Sequence, residues 1–251
     1  VLSAARKLNY QPDLRARGLR QRSSWTIGLI IPDLLNAYYT ALANTASHLL
    51  SQRGYHLILA STADDPASEQ STLYDMVGQG VEGLIWVPTC PEEELLGFLT
   101  DQGIPVVAIV RRIPNDAIDT VVFKDLQGSK TAVQHLIGLG HRRIGYIGGD
   151  ATRSSNRDRW QGYVQAHEEA GLPVDSSLVK LGAPREAWGR VAAPDLLELP
   201  DPPTALFVGS NGLMPGVMRA LRQYAVDIPD QMSLICFDDI DWFSYSVPPI
   251  T

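Results

Sequence analysis

The chain has 251 residues, 45% hydrophobic and 20% charged, with a net charge of −7 and two cysteines. That length holds one large α/β domain or two lobes of about 100–150 residues each, and no apolar run approaches the ~20 residues of a membrane span. Cys90 and Cys236 stand far apart with no second Cys or His at ligand spacing, which argues against a disulfide framework or a metal site and fits a reducing compartment.

The charge is divided along the chain. Residues 1–24 carry Arg6, Lys7, Arg15, Arg17, Arg20 and Arg22 against Asp13 alone, a net of +5, whereas the remainder nets −12. One end therefore suits phosphates, while the body would repel nucleic acid. The opening Val1–Leu8 lacks the order of a secretory signal, so a cytoplasmic location is expected. From Thr26 onward, short β-branched runs alternate with helical patterns. Thr26–Ile31, a helix near 38–53, Tyr55–Ser61, a helix near 68–79, Gly83–Val87, a helix near 92–102 and Pro105–Val110 read as βαβαβαβ. Tyr39, Leu42, Ala43, Ala46, Leu49 and Leu50 give the first helix an apolar stripe. Val121-Val122-Phe123 and a helix near 127–139 follow, and the pattern then restarts. The second series has strands at Arg143–Ile147, Leu178–Leu181, Ala205–Val208 and Ser233–Phe237, with helices near 156–170, 185–197 and 213–224. The strands read as unbroken apolar runs, as in parallel sheets covered on both faces. Gly54, Gly80, Gly103, Gly140 and Gly171 each fall just past a helical pattern, where a left-handed terminal residue is expected. Two similar series predict two doubly wound α/β lobes whose ligands bind beyond the carboxyl ends of the strands.

Several stretches together resemble the bacterial transcription regulators typified by the lactose, galactose and purine repressors. They are Leu8-Asn9-Tyr10-x-Pro12 with Ala16-Arg17-x-Leu19-Arg20, Ile27-Gly28-Leu29-Ile30-x-Pro32-Asp33-x-x-Asn36, Arg53-Gly54-Tyr55, Val81-Glu82-Gly83-Leu84-Ile85, Ile104-Pro105-Val106-Val107, His135-Leu136 through Gly148-Gly149, Arg157-x-Arg159-x-x-Gly162-Tyr163, and Phe237-Asp238-Asp239. The resemblance implies a periplasmic-binding-protein-like core that takes a small effector between two lobes, preceded by a helix-turn-helix headpiece and a hinge helix. It divides the chain into a remnant of the headpiece with the hinge (1–22), an N-terminal lobe (23–141) and a C-terminal lobe (142–251), cut short at both ends. In the hinge, Arg15, Ala16, Arg17, Leu19 and Arg20 would meet operator DNA, with Leu19 as the wedge that partly unstacks a base step. Gly18 weakens this helix, which is expected to be disordered or only partly helical without DNA. The expected partners are operator DNA, a sugar- or nucleoside-like effector and a second copy of the chain, with a tetramer as a further option. No membrane partner and no cofactor are expected.

The candidate effector contacts lie at strand ends. Asp33, Asn36, Tyr38 and Tyr39 combine a carboxylate, an amide and two aromatic faces, the mixture that suits sugars and nucleosides. The alternative is that Asp33 or Asn36 caps the helix and the tyrosines are core. Arg159, with Ser155 in the same stretch, is the strongest single candidate, because an arginine opening a helix offers a rigid fork of donors. Asp238 follows a buried strand and can accept two hydrogen bonds, with Asp239 as a loop residue. Asn211 opens another loop or caps a helix, and Asp125 falls at a strand end. The chain departs from the family in having Ala37 for proline, Val110-Arg111-Arg112 where an acid is common, and Phe123-Lys124-Asp125 for Val-Asp-Asn. The aromatic plate that relatives place near Gly182-Ala183-Pro184 is missing, with Trp86, Trp160 or Trp188 as substitutes or as core.

Catalytic signals are poor. No G-x-x-x-x-G-K-[ST], H-E-x-x-H or G-x-S-x-G is present and the five histidines are scattered, so no catalytic residue is assigned and the chain is not expected to be an enzyme. The expected function is a transcriptional regulator, a repressor by resemblance, whose hinge grip on DNA is set by effector binding. A periplasmic-type solute-binding protein shares such a core but would need an export signal and no basic hinge. A Rossmann-like enzyme on sugar phosphates or nucleotides would need a catalytic set or a phosphate-cradling loop.

Overall fold

The computed structural model describes residues 23–89 and 93–250. The expectations for the headpiece remnant and for hinge residues Arg15, Ala16, Arg17, Leu19 and Arg20 lie outside the described residues. Two compact units emerge among the described residues, the first built from 23–35, 39–89, 93–109 and 113–119, the second from 36–38, 110–112 and 120–250.

In the first unit, strands β1 (Thr26–Ile31), β2 (His56–Ser61), β3 (Gly83–Trp86), β4 (Val106–Ile109) and β5 (Asp119–Val121) form one sheet in the order β2-β1-β3-β4-β5. β1 pairs in parallel with both β2 and β3, so the strand order reverses between β1 and β3. The intervening helices are α1 (Ala37–Ser51), α2 (Pro66–Gly78) and α3 (Glu93–Asp101). Helix α2 starts two residues before its periodicity suggests, because Asp65 accepts from the Ser68 amide at 2.7 Å and Pro66 occupies the first turn. Its apolar side, Leu73 and Met76, joins Ile30, Leu84, Trp86, Leu96, Leu99 and Ala108 in the core. The stripe proposed for α1 is covered only in part, with Tyr39 and Ala43 buried and Leu49 exposed. Within this core Glu69 is buried as an acceptor for Trp86 Nε1 (2.9 Å) and the Thr89 amide (2.7 Å), so Trp86 is core.

The second unit repeats the plan. Strands β6 (Ile144–Gly149), β7 (Val179–Gly182), β8 (Ala205–Val208) and β9 (Ser233–Cys236) are all parallel, in the order β7-β6-β8-β9, with the reversal between β6 and β8. The central strands β6 and β8 are buried throughout, which is why their sequences do not alternate. Helices α4 (Asp125–Gly138), α5 (Ser154–Glu169), α6 (Glu186–Leu197) and α7 (Met214–Gln223) cover the sheet. The expected helix-ending glycines adopt left-handed conformations, among them Gly140 at φ 100° and Gly54 at φ 81°.

The units do not divide at residue 141. Apart from 36–38 and 110–112, the second unit starts at Thr120, because α4 packs on α5. Val133 and Leu136 share a core with Tyr146, Tyr163, Ala166 and Phe207. Gly162 permits the close approach: a Cβ there would lie 2.4 Å from the Leu126 carbonyl and 2.7 Å from Ser129 Cβ. Polar ties from Lys130 and Gln134 to Glu169 add to it.

Candidate functional site

The carboxyl ends of β6, β8 and β9 converge in the second unit on a single buried guanidinium. Arg159 sits in the second turn of α5, which the Asp150–Arg153 turn after β6 leads into, and is 6% exposed. Its Nε donates to Asp125 Oδ1 at 2.8 Å, and Nη1 donates to the Gly209 carbonyl at 2.7 Å. Nη2 lies 4.0 Å from Asp238 Oδ1, and the guanidinium carbon stands 3.7 Å from the centroid of the Phe237 ring. Three elements thus hold one side chain: α4 through Asp125, the β8 loop through Gly209, and the β9 end through Phe237 and Asp238.

The electrostatics follow from the burial. Asp125 is 2% exposed, and burial pushes its carboxyl above the ordinary value against the pull of Arg159, with Asp158 and Asp238 adding repulsion. Burial alone would lower the Arg159 pKa, but Asp238 and then Asp125 outweigh it, and the guanidinium stays charged. The neighbouring Tyr146 hydroxyl is raised by burial and stays neutral.

The other groups are placed by the same strand ends. Asp238 Oδ2 accepts from the Asn211 amide at 2.7 Å, tying the β9 loop to the β8 loop, while its side chain remains 20% exposed. Asn211 does not cap a helix: the N-cap position of α7 is Leu213, and the buried Asn211 Nδ2 has no hydrogen-bond partner among the described residues. Ser155 is buried in the first turn of α5. Its neighbour Ser154 accepts from the Arg112 amide at 2.8 Å, and the Arg112 guanidinium pairs with Asp158. Asp239 is exposed.

The structure therefore brings Asp125, Arg159, Asn211 and Asp238 together. Asp33 belongs to the first unit, half-buried, its carboxylate accepting from the Leu35 amide at 2.8 Å. Asn36 stands just before α1 and accepts from the Tyr38 amide at 3.0 Å, the geometry of a helix cap. Tyr39 is buried, whereas Tyr38 is half-buried with its ring edge-on to Phe123 at 5.8 Å. Trp160 stacks on Tyr146, and Trp188 lies against Gly182. Sequence reasoning missed the Gly209 carbonyl, the Phe237 face and the Arg112–Asp158 pair. Phe237 carried a signal in its position directly before Asp238, but a backbone carbonyl carries none.

Two parallel α/β units with polar groups gathered at strand ends define the class of periplasmic-binding-protein-like ligand-binding cores. Residues 24–241 match the family described as periplasmic binding proteins and sugar binding domain of the LacI family, and the chain belongs to that family. It is 31% identical over 252 residues to catabolite control protein A of Priestia megaterium, covering 100% of this chain and 76% of that protein. It is 30% identical over 251 residues to the transcriptional repressor PurR of Haemophilus influenzae, covering 100% of this chain and 75% of that protein. A solved LacI-family regulator from Enterococcus faecium with bound ribose superimposes with a TM-score of 0.81 at 24% identity, covering 90% of this chain and 82% of that one. The chain is thus a transcriptional regulator with a ligand-binding core, and its relatives are regulators and not enzymes. No helix among the described residues is long and apolar enough to cross a membrane.

Proposed function

We propose that this chain is the effector-sensing part of a cytoplasmic, homodimeric repressor. Its second unit takes a sugar- or nucleoside-like metabolite through Ser155, Arg159, Asn211 and Asp238; Asp33, Asn36, Tyr38 and Tyr39, at the strand-to-helix turn after β1, are effector contacts proposed separately. The observation that carries the reading is the placing of a locked, buried Arg159 beside Asp238, whose side chain is 20% exposed, and beside a buried Asn211 Nδ2 that has no hydrogen-bond partner among the described residues. Rigid donors beside a free acceptor are what a polar metabolite needs for orientation. The ribose bound to the Enterococcus faecium regulator is in keeping with such a ligand.

Effector binding would alter operator affinity through the hinge residues Arg15, Ala16, Arg17, Leu19 and Arg20. A metabolite with different affinities for the DNA-competent and DNA-released states shifts operator affinity by the same factor that operator shifts its own. The test is a thermal-shift screen of neutral sugars, nucleosides and nucleobases. A ligand at a hundred times its Kd stabilises by about 2.7 kcal/mol, and the shift should vanish in Asp238→Ala. A screen with no stabilising compound, or a shift that survives Asp238→Ala, refutes the assignment.

A further inference from the structure

Asp125 faces Arg159 from behind. It is 2% exposed, opens α4, and its Oδ1 takes the Nε hydrogen bond at 2.8 Å, leaving the two Nη groups for Gly209 and the Asp238 side. Asp125 is therefore out of reach of a metabolite that contacts Asp238, yet its charge sits against the one buried cation of the cluster. Phe237 and Gly128 complete the mount: the Phe237 ring lies under the guanidinium, and a Cβ at Gly128 would come within 3.1 Å of that ring. The guanidinium is thus matched by one carboxylate in hydrogen-bond contact and approached by a second, Asp238. The nearby cation Arg112 is matched by Asp158.

We infer that Asp125 is a specificity-determining positioning residue: it fixes Arg159 and offsets its charge, so that this face selects a neutral, hydroxyl-bearing ligand over an anionic one. The inference rests on the reading above and deepens it by naming the ligand class. The accessible carboxylate points the same way. Asp238, whose side chain is 20% exposed, is acceptor-only, and a hydroxyl supplies the donor it takes. A phosphate monoester dianion or a carboxylate group brings no donor of its own to Asp238; inorganic phosphate keeps a P–OH, but like them it would set a negative charge beside that carboxylate with no net positive charge in return.

The test titrates the full 251-residue chain with inorganic phosphate alone, and separately with neutral pentoses and hexoses, each paired with its own phosphate monoester. The wild type should show no saturable phosphate binding and should favour each bound sugar over its phosphate ester. In Asp125→Asn, which keeps an acceptor oxygen for Arg159 Nε, the preference should fall by about tenfold, the weight of one charge contact, and saturable phosphate binding should appear. Asp125→Glu should restore the preference, which a merely structural role does not predict. An unchanged preference in Asp125→Asn overturns the inference. So does a wild type that binds phosphate, or a phosphate ester more tightly than its sugar, and these outcomes stand even if the variants fail to fold. If no sugar binds, the proposed function fails, while the phosphate titration still decides the role of Asp125.

Discussion

Removing either partner of the Arg159–Asp125 pair should destabilise the second unit far more than removing both. The pair has side chains 8% and 2% exposed, with Nε and Oδ1 at 2.8 Å. Deleting one member of such a pair leaves the other uncompensated, at a cost of about 3–5 kcal/mol. Arg159→Met forfeits in addition the charged hydrogen bond to the Gly209 carbonyl, worth about 1.5–3 kcal/mol, but retains apolar packing on Phe237. Asp125→Ala leaves the cation with the more distant Asp238. The double variant contains no orphaned charge, so its cost should fall short of the sum of the singles by about 2–3 kcal/mol. The assay is urea unfolding followed by far-UV circular dichroism and tryptophan fluorescence. Trp160, next to Arg159 and stacked on Tyr146 at 5.5 Å, reports on the second unit. Because two units need not unfold together, the transition is assigned from the fluorescence phase and not from a single global midpoint. Burial raises the Asp125 carboxyl in the fold, so the folded state binds its proton more readily than the unfolded chain, and stability from this group falls as pH rises from 3.8 through the folded value. The Arg159→Met penalty should therefore shrink on acidification. Single variants that each cost under about 1 kcal/mol, or costs that simply add, would refute the buried-pair reasoning.

Three further outcomes are expected. Gly162→Val should cost about 1–3 kcal/mol or more by forcing α4 from α5, whereas Gly97→Ala in α3, with nothing within 4 Å of the added Cβ, should be neutral or stabilising by up to about 1 kcal/mol; paired thermal melts decide. Burial lowers the pKa of His167 and of His141, so the unfolded chain takes up protons that the fold refuses, and stability is lost as pH falls below 6.5; His167→Gln should flatten that loss in urea midpoints measured from pH 7.5 to 5. Trp86→Phe should cost about 1–3 kcal/mol beyond its lost volume, since the buried Glu69 carboxylate keeps the Thr89 amide but loses the indole donor; a Trp86→Phe/Glu69→Leu double variant that recovers none of the loss would contradict this.

The alternation of elements was legible in the sequence because both signals behind it are local. Apolar periodicity distinguishes α5 from β6 within a dozen residues, and Gly54 and Gly140 mark helix ends through their own backbone conformation. The division between the units was not legible. Gln127–Leu139 reads equally well as the last helix of one lobe or the first of the next, and the choice rests on Gly162 admitting the Leu126 carbonyl, a contact that no local pattern encodes. The site was half legible for the same reason. Arg159, Asn211 and Asp238 stand at strand ends, which chain order predicts, but their mutual distances depend on strand pairing. That Asp125 lies behind the guanidinium follows only from the packing of α4 on α5.

Arg159 consequently serves the fold and the ligand at once, and this decides which substitution can establish binding. Any neutral replacement of Arg159 leaves Asp125 buried without its cation and removes the guanidinium from the Phe237 ring, so loss of ligand response there would not separate a broken site from a loosened unit. Asp238 is the cleaner probe. Its side chain is 20% exposed, its carboxylate accepts from the Asn211 amide at 2.7 Å, and its approach to Arg159 is 4.0 Å. Asp238→Asn keeps an acceptor for that amide, so its stability cost should stay within about 1 kcal/mol, the net worth of one hydrogen bond. A ligand-induced thermal shift that falls away in Asp238→Asn, at an unliganded melting temperature close to wild type, would assign the metabolite contact to this carboxylate. A large drop in the unliganded melting temperature would instead assign Asp238 to the scaffold that holds the arginine.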